Sequence, residues 1–175
     1  MNFLEFSRPF IEAAKKVFET MVFTKLEALK PSIKENNNSL GDISAILGLL
    51  GQIKNGNGDK PVEYKAMLVM SFPYETYIKI ASAMLMETHT EYNDEISDVG
   101  GEICNMVMGN AKRSLSEMGY SCNKAIPSII VGENHVIKYP SETTTVVIPI
   151  NSAHGKMYME ICYKELHASE VDDEN

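Results

Sequence analysis

Residues 93–118 read NDEISDVGGEICNMVMGNAKRSLSEM, and the contrast between this stretch and the residues after Gly119 sets the architecture. At ~100° per residue, Ile96, Val99, Ile103, Met106, Val107 and Met118 gather on one half of a helical wheel. Asp98, Glu102, Asn105, Gly109 and Lys112 fall on the opposite side, within an arc of about 80°. A core face and a coherent polar stripe make an amphipathic helix from Asn93 to about Met118. Asn93 or Asp94 supplies its N-cap, and Gly119 fits its C-terminal stop. Asn110 and Ser114 interrupt the apolar half as small polar groups bonding locally. After Gly119 the period drops to two and β-branched residues dominate. Ser128–Val131, Val136–Tyr139, Thr143–Ile150 and Lys156–Tyr163 read as strands, with His154-Gly155 in the turn between the last two.

Upstream, the pattern is helix, hairpin, helix. Phe10, Ala13, Ala14, Val17, Phe18, Met21 and Val22 recur at spacings of three and four, which predicts a helix from Pro9 to about Leu29. Ser7 is its expected N-cap, and Lys30-Pro31 its stop. Ile43–Ile53 and Val62–Phe72 are strand candidates flanking Asn55-Gly56-Asn57-Gly58-Asp59, residues that tolerate positive φ and mark a hairpin turn. Pro73 closes the second strand, and Tyr74 to about Glu87 reads as a helix. Helices and strands are segregated rather than alternating. The expected fold is therefore α+β, an α/β sandwich with an antiparallel sheet packed against long helices. Residues 1–166 are expected to form one domain, and residues 167–175 an acidic, disordered tail.

Composition narrows the function. The chain has 175 residues, 44% hydrophobic and 23% charged, with a net charge of −8. That sign argues against a sequence-independent grip on nucleic acid phosphates and against an anionic membrane surface. No apolar run approaches the ~20 residues that span a bilayer. Cys104, Cys122 and Cys162 are an odd, widely spaced set with no C-x-x-C, which suits a reducing cytoplasm. The charged opening, Met1 to Arg8, lacks the apolar core of a signal peptide, so a cytoplasmic location is expected. His89, His135, His154 and His167 stand apart, none paired with Cys, Asp or Glu at a zinc-site spacing, so no metal ligands are assigned. Nucleotide-binding and serine-hydrolase motifs are absent.

The polar stripe of the long helix is the remaining candidate. Gly100, Gly101 and Gly109 sit inside a helix, each costing roughly 1 kcal/mol relative to Ala. Missing side chains lower the surface, so a partner can approach the backbone around Glu102 and Asn105. Those two lie three residues apart, with Cβ atoms about 5–6 Å from each other and both pointing outward. One offers an anion, the other a neutral amide. Taken alone, Glu-x-x-Asn is a very weak motif, and periodicity by itself favours a solvated face with tolerated glycines.

The wider string, Asp98-Val99-Gly100-Gly101-Glu102-Ile103-Cys104-Asn105, resembles the signature of the CheC/CheX/FliY phosphatases. That signature is Asp or Ser, three residues, Glu, two residues, Asn, and a Pro about twenty-two residues later. Pro127 comes after twenty-one intervening residues, a one-residue departure. Arg8-Pro9-Phe10-Ile11-Glu12-Ala13, Ile46-Leu47-Gly48-Leu49-Leu50-Gly51 and Val146-Val147-Ile148-Pro149-Ile150 resemble other elements of CheX-like members. A single Glu-x-x-Asn site points to the CheX-like branch.

The resemblance implies dephosphorylation of the aspartyl phosphate of a CheY-type response regulator in chemotaxis-like two-component signalling. Glu102 and Asn105 would be catalytic. Asn105 would hold a water in line with phosphorus, and Glu102 would pair with the receiver's Lys. Asp98, Gly101, Gly109 and Lys112 become docking-face candidates. Asp98 reads equally as a surface carboxylate, and Lys112 more readily as a solvated lysine than as a contact. The resemblance implies no cofactor of the protein's own, since the partner holds Mg²⁺, and a homodimer through sheet edges. Cys104 is expected to be packed rather than reactive. Met67, Met70, Met84, Met86, Met106 and Met108 are expected as core filler or a packed interface. A non-catalytic module of the same fold, binding a receiver or a flagellar switch component, is the alternative. A ligand-sensing domain with a Met-rich pocket has no convergent polar cluster behind it.

Overall fold

The computed structural model describes residues 3–54, 60–123 and 125–166. The expected hairpin turn at Asn55–Asp59 and the acidic tail at 167–175 lie outside the described residues. In chain order the elements are α1 (Phe3–Met21), β1 (Glu27–Ala28), β2 (Ser32–Ile33), β3 (Ile43–Ile53), β4 (Val62–Phe72), α2 (Tyr74–Leu85), α3 (Val99–Glu117), β5 (Tyr120–Cys122), β6 (Ser128–Val131), β7 (Thr145–Ser152) and β8 (Gly155–Leu166). The strands form one antiparallel sheet in the order β1-β7-β8-β4-β3-β5, with β2 also pairing β7 and β6 also pairing β3. This is the expected α+β architecture.

Alternation along the strands sets the layers. Ile43, Ala45, Leu47 and Leu49 of β3 are buried with Tyr64, Ala66, Leu68, Met70 and Phe72 of β4 and with Met157, Met159 and Ile161 of β8. The β3–β4 register pairs Leu47 with Leu68 and Ala45 with Met70, so these side chains share one face. α1 and α3 pack side by side, and α3 lies on β3 and β5. Phe6, Phe10, Ala13, Ala14, Val17 and Phe18 make the buried stripe of α1. At its start Phe6 meets the rings of Tyr64, Tyr120 and Tyr163 at 5.9, 5.5 and 4.5 Å between centroids.

That aromatic cluster corrects the boundary expected for α1. The helix begins before Pro9, which sits inside it, and Ser7 is a buried helical residue rather than the cap. Docking Phe6 on three tyrosines stabilises the turn ahead of the proline. The helix also ends at Met21 rather than near Leu29. The Phe18 carbonyl accepts from both Val22 and Thr24 amides at 3.1 Å, and Phe23 turns to φ 56°. The chain then leaves to pair with β7.

The opposite face of the sheet is polar at its centre. Glu160 of β8 is fully buried and forms an ion pair with Lys34 at 2.6 Å. Tyr139 donates to its carboxylate, and Ser71 donates to it at 3.3 Å. This explains why Val136–Tyr139, expected as a strand, is not one. Apart from an isolated bridge between Asn38 and Val136, the segment lies over the sheet, with Ile137 buried and Tyr139 bonded to Glu160. Among the described residues, no helix is long and apolar enough to cross a membrane.

Candidate functional site

α3 is shorter than its periodicity suggests. Residues 94–98 form turns, and the helix proper runs from Val99 to Glu117. Asn93 does cap this approach: its Oδ1 accepts from the amides of Glu95 and Ile96 at 3.0 and 3.2 Å. Asp98 occupies the N-cap position of α3 without a side-chain bond, and its carbonyl accepts the Glu102 amide at 3.0 Å. At the other end Gly119 takes φ 89°, a left-handed turn that glycine adopts without a Cβ penalty.

The buried side of α3 is Val99, Ile103, Cys104, Val107, Met108, Ala111 and Leu115. Met106 is half-buried and Met118 exposed, so the core seam runs slightly off the expected one. Asn110 and Ser114 are exposed, and Asn110 donates to the Met106 carbonyl at 2.8 Å, so neither breaks the core. Cys104 is wholly buried, and burial pushes its thiol up to about 12, which makes it an inert packing residue. Met70 and Met108 are core filler, whereas Met86 is 76% exposed.

Glu102, Asn105, Gly109 and Lys112 are exposed, and so is Asp98 just ahead of the helix. Glu102 stands in the first turn, where the positive end of the helix dipole favours an anion. Gly109 has open space where a Cβ would stand, beside a groove of about 290 Å³ shared with Pro9, Ala13 and Lys16 of α1.

The other two glycines behave differently. Gly100 and Gly101 are buried. A Cβ on Gly100 would approach the Tyr77 ring to 3.2 Å, and one on Gly101 would meet Pro127 and Ile129 at 3.4 Å. The expectation that Gly101 belongs to an exposed docking face is therefore corrected. Both glycines admit neighbours of the same chain rather than a visiting one.

Tyr77 of α2 is the residue that sequence reasoning misses. Its hydroxyl donates to the Ile96 carbonyl at 2.7 Å and accepts the Gly100 amide at 3.0 Å. Gly100 N–H is one of the four donors a helix N-terminus leaves unpaired, so Tyr77 acts as a tertiary cap. Burial pushes its phenol up to about 12. The only signal in the sequence is a tyrosine on the apolar side of α2, where a hydroxyl must find a partner. Tyr77 and Pro127 thus clamp the helix start from two sides, leaving Glu102 and Asn105 projecting outward. The site can present a carboxylate and an amide to another molecule. Among the described residues, one His/carboxylate group with metal-compatible spacing also emerges, Glu87, His89 and Glu95 in the approach to α3.

Comparison with curated protein sequences gave no match. Solved structures are closely similar. A CheC-like superfamily protein from Shewanella sp. PV-4 is 32% identical, with a TM-score of 0.79 over 94% of this chain and 99% of that one. A chemotaxis protein CheX from Desulfovibrio desulfuricans is 29% identical, with a TM-score of 0.78 over 91% of this chain and 99% of that one. A CheX from Borrelia burgdorferi, crystallised with CheY, BeF₃ and Mg²⁺, is 23% identical and shares the fold at a TM-score of 0.71, over 93% of this chain and 98% of that one. A family model described as chemotaxis phosphatase CheX matches residues 62–151, a span that includes α2, Tyr77, the clamped turn and all of α3. With that match and the Shewanella likeness, the chain belongs to the CheX family of chemotaxis phosphatases.

Proposed function

We propose that Glu102 and Asn105 carry the phosphatase reaction, acting on the aspartyl phosphate of a CheY-type receiver docked against the exposed side of α3. The supporting observation is that both side chains are exposed, one helical turn apart, on a helix whose first turn is clamped by Tyr77 and Pro127. The Borrelia relative, held with CheY, BeF₃ and Mg²⁺, lends weight to the partner, because BeF₃ stands in for a phosphoryl group.

The receiver supplies the acyl phosphate and the Mg²⁺. An uncharged amide is a poor general base, so Asn105 contributes by orienting a water in line with phosphorus, as the glutamine of GTPases does. Glu102 pairs with a receiver lysine and fixes the register of docking. No covalent intermediate on this chain is required. Asp98, Gly109 and Lys112 flank the pair and are its docking contacts. Residues 1–166 act as one domain, a reading supported by the single continuous core. A second copy joins through a sheet edge, where β1, β5 and β6 leave backbone groups available.

The test is phosphate loss from a phosphorylated receiver at substoichiometric amounts of this protein. Wild type should accelerate loss. Asn105→Ala should abolish the acceleration while the receiver still binds. Glu102→Ala should weaken binding about tenfold or more, the range of a lost charge-assisted bond. Acceleration that survives Asn105→Ala would overturn the mechanism, and binding without any acceleration by wild type would leave a docking module.

A further inference from the structure

The loop that joins α2 to α3 contains a cluster with no part in the phosphatase reading. His89 lies just past the left-handed C-cap of α2 at Met86, and its backbone is pinned to that helix: its amide donates to Ser82 Oγ at 3.0 Å, and Ser82 donates back to its carbonyl at 3.4 Å. The imidazole is 94% buried, because its side chain retains only 6% exposure. Yet Nε2 has no hydrogen-bond partner. A buried ring nitrogen without a partner has lost its bond to water and gained none in return. Two carboxylates stand just beyond bonding distance. Glu87 Oε2 is 3.9 Å from Nε2, and Glu95 Oε2 is 3.8 Å from Nδ1. One ligand atom from each of the three residues fits within a span of 4.8 Å. The same side of the loop opens on a surface hollow of about 430 Å³, whose wall includes His154 from the β7–β8 turn.

We propose that Glu87, His89 and Glu95 form a binding site for a divalent transition metal ion, with Zn²⁺ as the reference occupant. The donor set decides the class. A neutral imidazole with two carboxylates suits borderline ions such as Zn²⁺, whereas Mg²⁺ and Ca²⁺ prefer all-oxygen shells. Zinc bonds to His nitrogen and carboxylate oxygen span about 2.0–2.2 Å, so an ion bridging two such donors fits a separation somewhat under 4 Å. An ion takes one ring nitrogen only. At Nε2 the exposed Glu87 carboxylate has a few tenths of an ångström to close. The exposed Glu95 side chain, which faces Nδ1, turns within the 4.8 Å span to join it, while the histidine is already fixed. The unpartnered Nε2 is the observation that separates this cluster from an ordinary pair of surface glutamates. Glu87 and His89 leave α2, and Glu95 enters the turn before α3. An ion here would tie the two helices together through the loop, three residues ahead of Asp98.

The experiment is calorimetric titration of the full chain with Zn²⁺ in a non-chelating buffer, followed by Co²⁺ loading and absorption spectroscopy. Wild type should bind one equivalent, and Co²⁺ should give visible bands of a low-coordinate N/O site. His89→Gln, Glu87→Gln and Glu95→Gln should each weaken binding at least about tenfold. Glu95→Gln changes only an exposed carboxylate, so it keeps the test valid should the buried His89 variant fold poorly. Absence of binding at millimolar Zn²⁺, or binding unchanged by both Glu95→Gln and Glu87→Gln, would overturn the assignment.

Discussion

Replacing Tyr77 by phenylalanine isolates the contribution of one hydroxyl to the site. The ring stays, with its contacts to Phe72 and Tyr92 at 5.6 and 5.8 Å between centroids. The lost oxygen accepts the Gly100 amide at 3.0 Å and donates to the Ile96 carbonyl at 2.7 Å. The carbonyl keeps a partner, because the Val99 amide also bonds to it at 3.2 Å. The Gly100 amide does not, and it is buried at a helix N-terminus. One orphaned buried donor costs about 1–3 kcal/mol. For a chain of this length each kcal/mol lowers the melting temperature by roughly 2–4 °C. Tyr77→Phe should therefore lower the urea midpoint with an unchanged m-value. Exchange of the Gly100 amide should quicken, and phosphatase turnover should fall more than receiver binding, because a displacement of about 1 Å at a positioning group can cost 10²-fold. A stability change within about 0.5 kcal/mol, with no faster exchange at Gly100, would refute the clamp.

The buried groups yield two more expected outcomes. Lys34→Met strands Glu160, fully buried, without its cation; the loss should be about 3–5 kcal/mol in guanidinium unfolding, and adding Glu160→Gln should recover much of it. A single substitution costing under about 1 kcal/mol would show that Glu160 has another source of compensation. The Cys104 thiol is raised from 9.0 to about 12 in the folded chain, so the unfolded chain loses that proton first as pH rises. Its contribution is whole below pH 9.0 and disappears as pH climbs to about 12, with Tyr77 acting the same way from 10.0 upward to about 12. Unfolding midpoints should fall between about pH 9 and pH 11, less steeply in Cys104→Ala, and a flat profile over that range would contradict the burial.

Legibility in the sequence divides along the length of the interactions. Ile43–Ile53 and Val62–Phe72 are legible residue for residue, because Gly, Pro and alternation are local signals and both strands are central. The exposed pair on α3 is equally legible, since three-residue spacing on a helix fixes direction without knowledge of the rest. The start of α1 is not, because Phe6 gains its value from Tyr64, Tyr120 and Tyr163, all distant in the chain. Val136–Tyr139 carries a strand-like pattern but answers to a buried carboxylate, which no local pattern reveals. Gly101 reads locally as lowering an outer surface, whereas its missing Cβ faces Pro127 and Ile129. Glu87 and Glu95 lie on either side of His89 in a loop whose folding alone brings them together.

The two buried glycines also bear on why the motif sits where it does. Each costs roughly 1 kcal/mol of helix propensity relative to Ala, at the end of a helix where nucleation is already unfavourable. Alanine at Gly100 would bring a methyl to 3.2 Å from the Tyr77 ring, so the ring whose hydroxyl caps the turn would have to give by a few tenths of an ångström. Alanine at Gly101 would meet Pro127 and Ile129 at 3.4 Å, ordinary packing contact. At Gly100 the intrinsic cost is offset by the Tyr77 bond that holds the first turn of α3 against α2. A site made of two exposed side chains has no pocket to align them. On the proposed reading the reacting phosphate and its metal belong to another molecule, so alignment would come from the stiffness of the helix that presents Glu102 and Asn105. A rigid first turn supplies that stiffness where it acts most directly, one residue before the carboxylate.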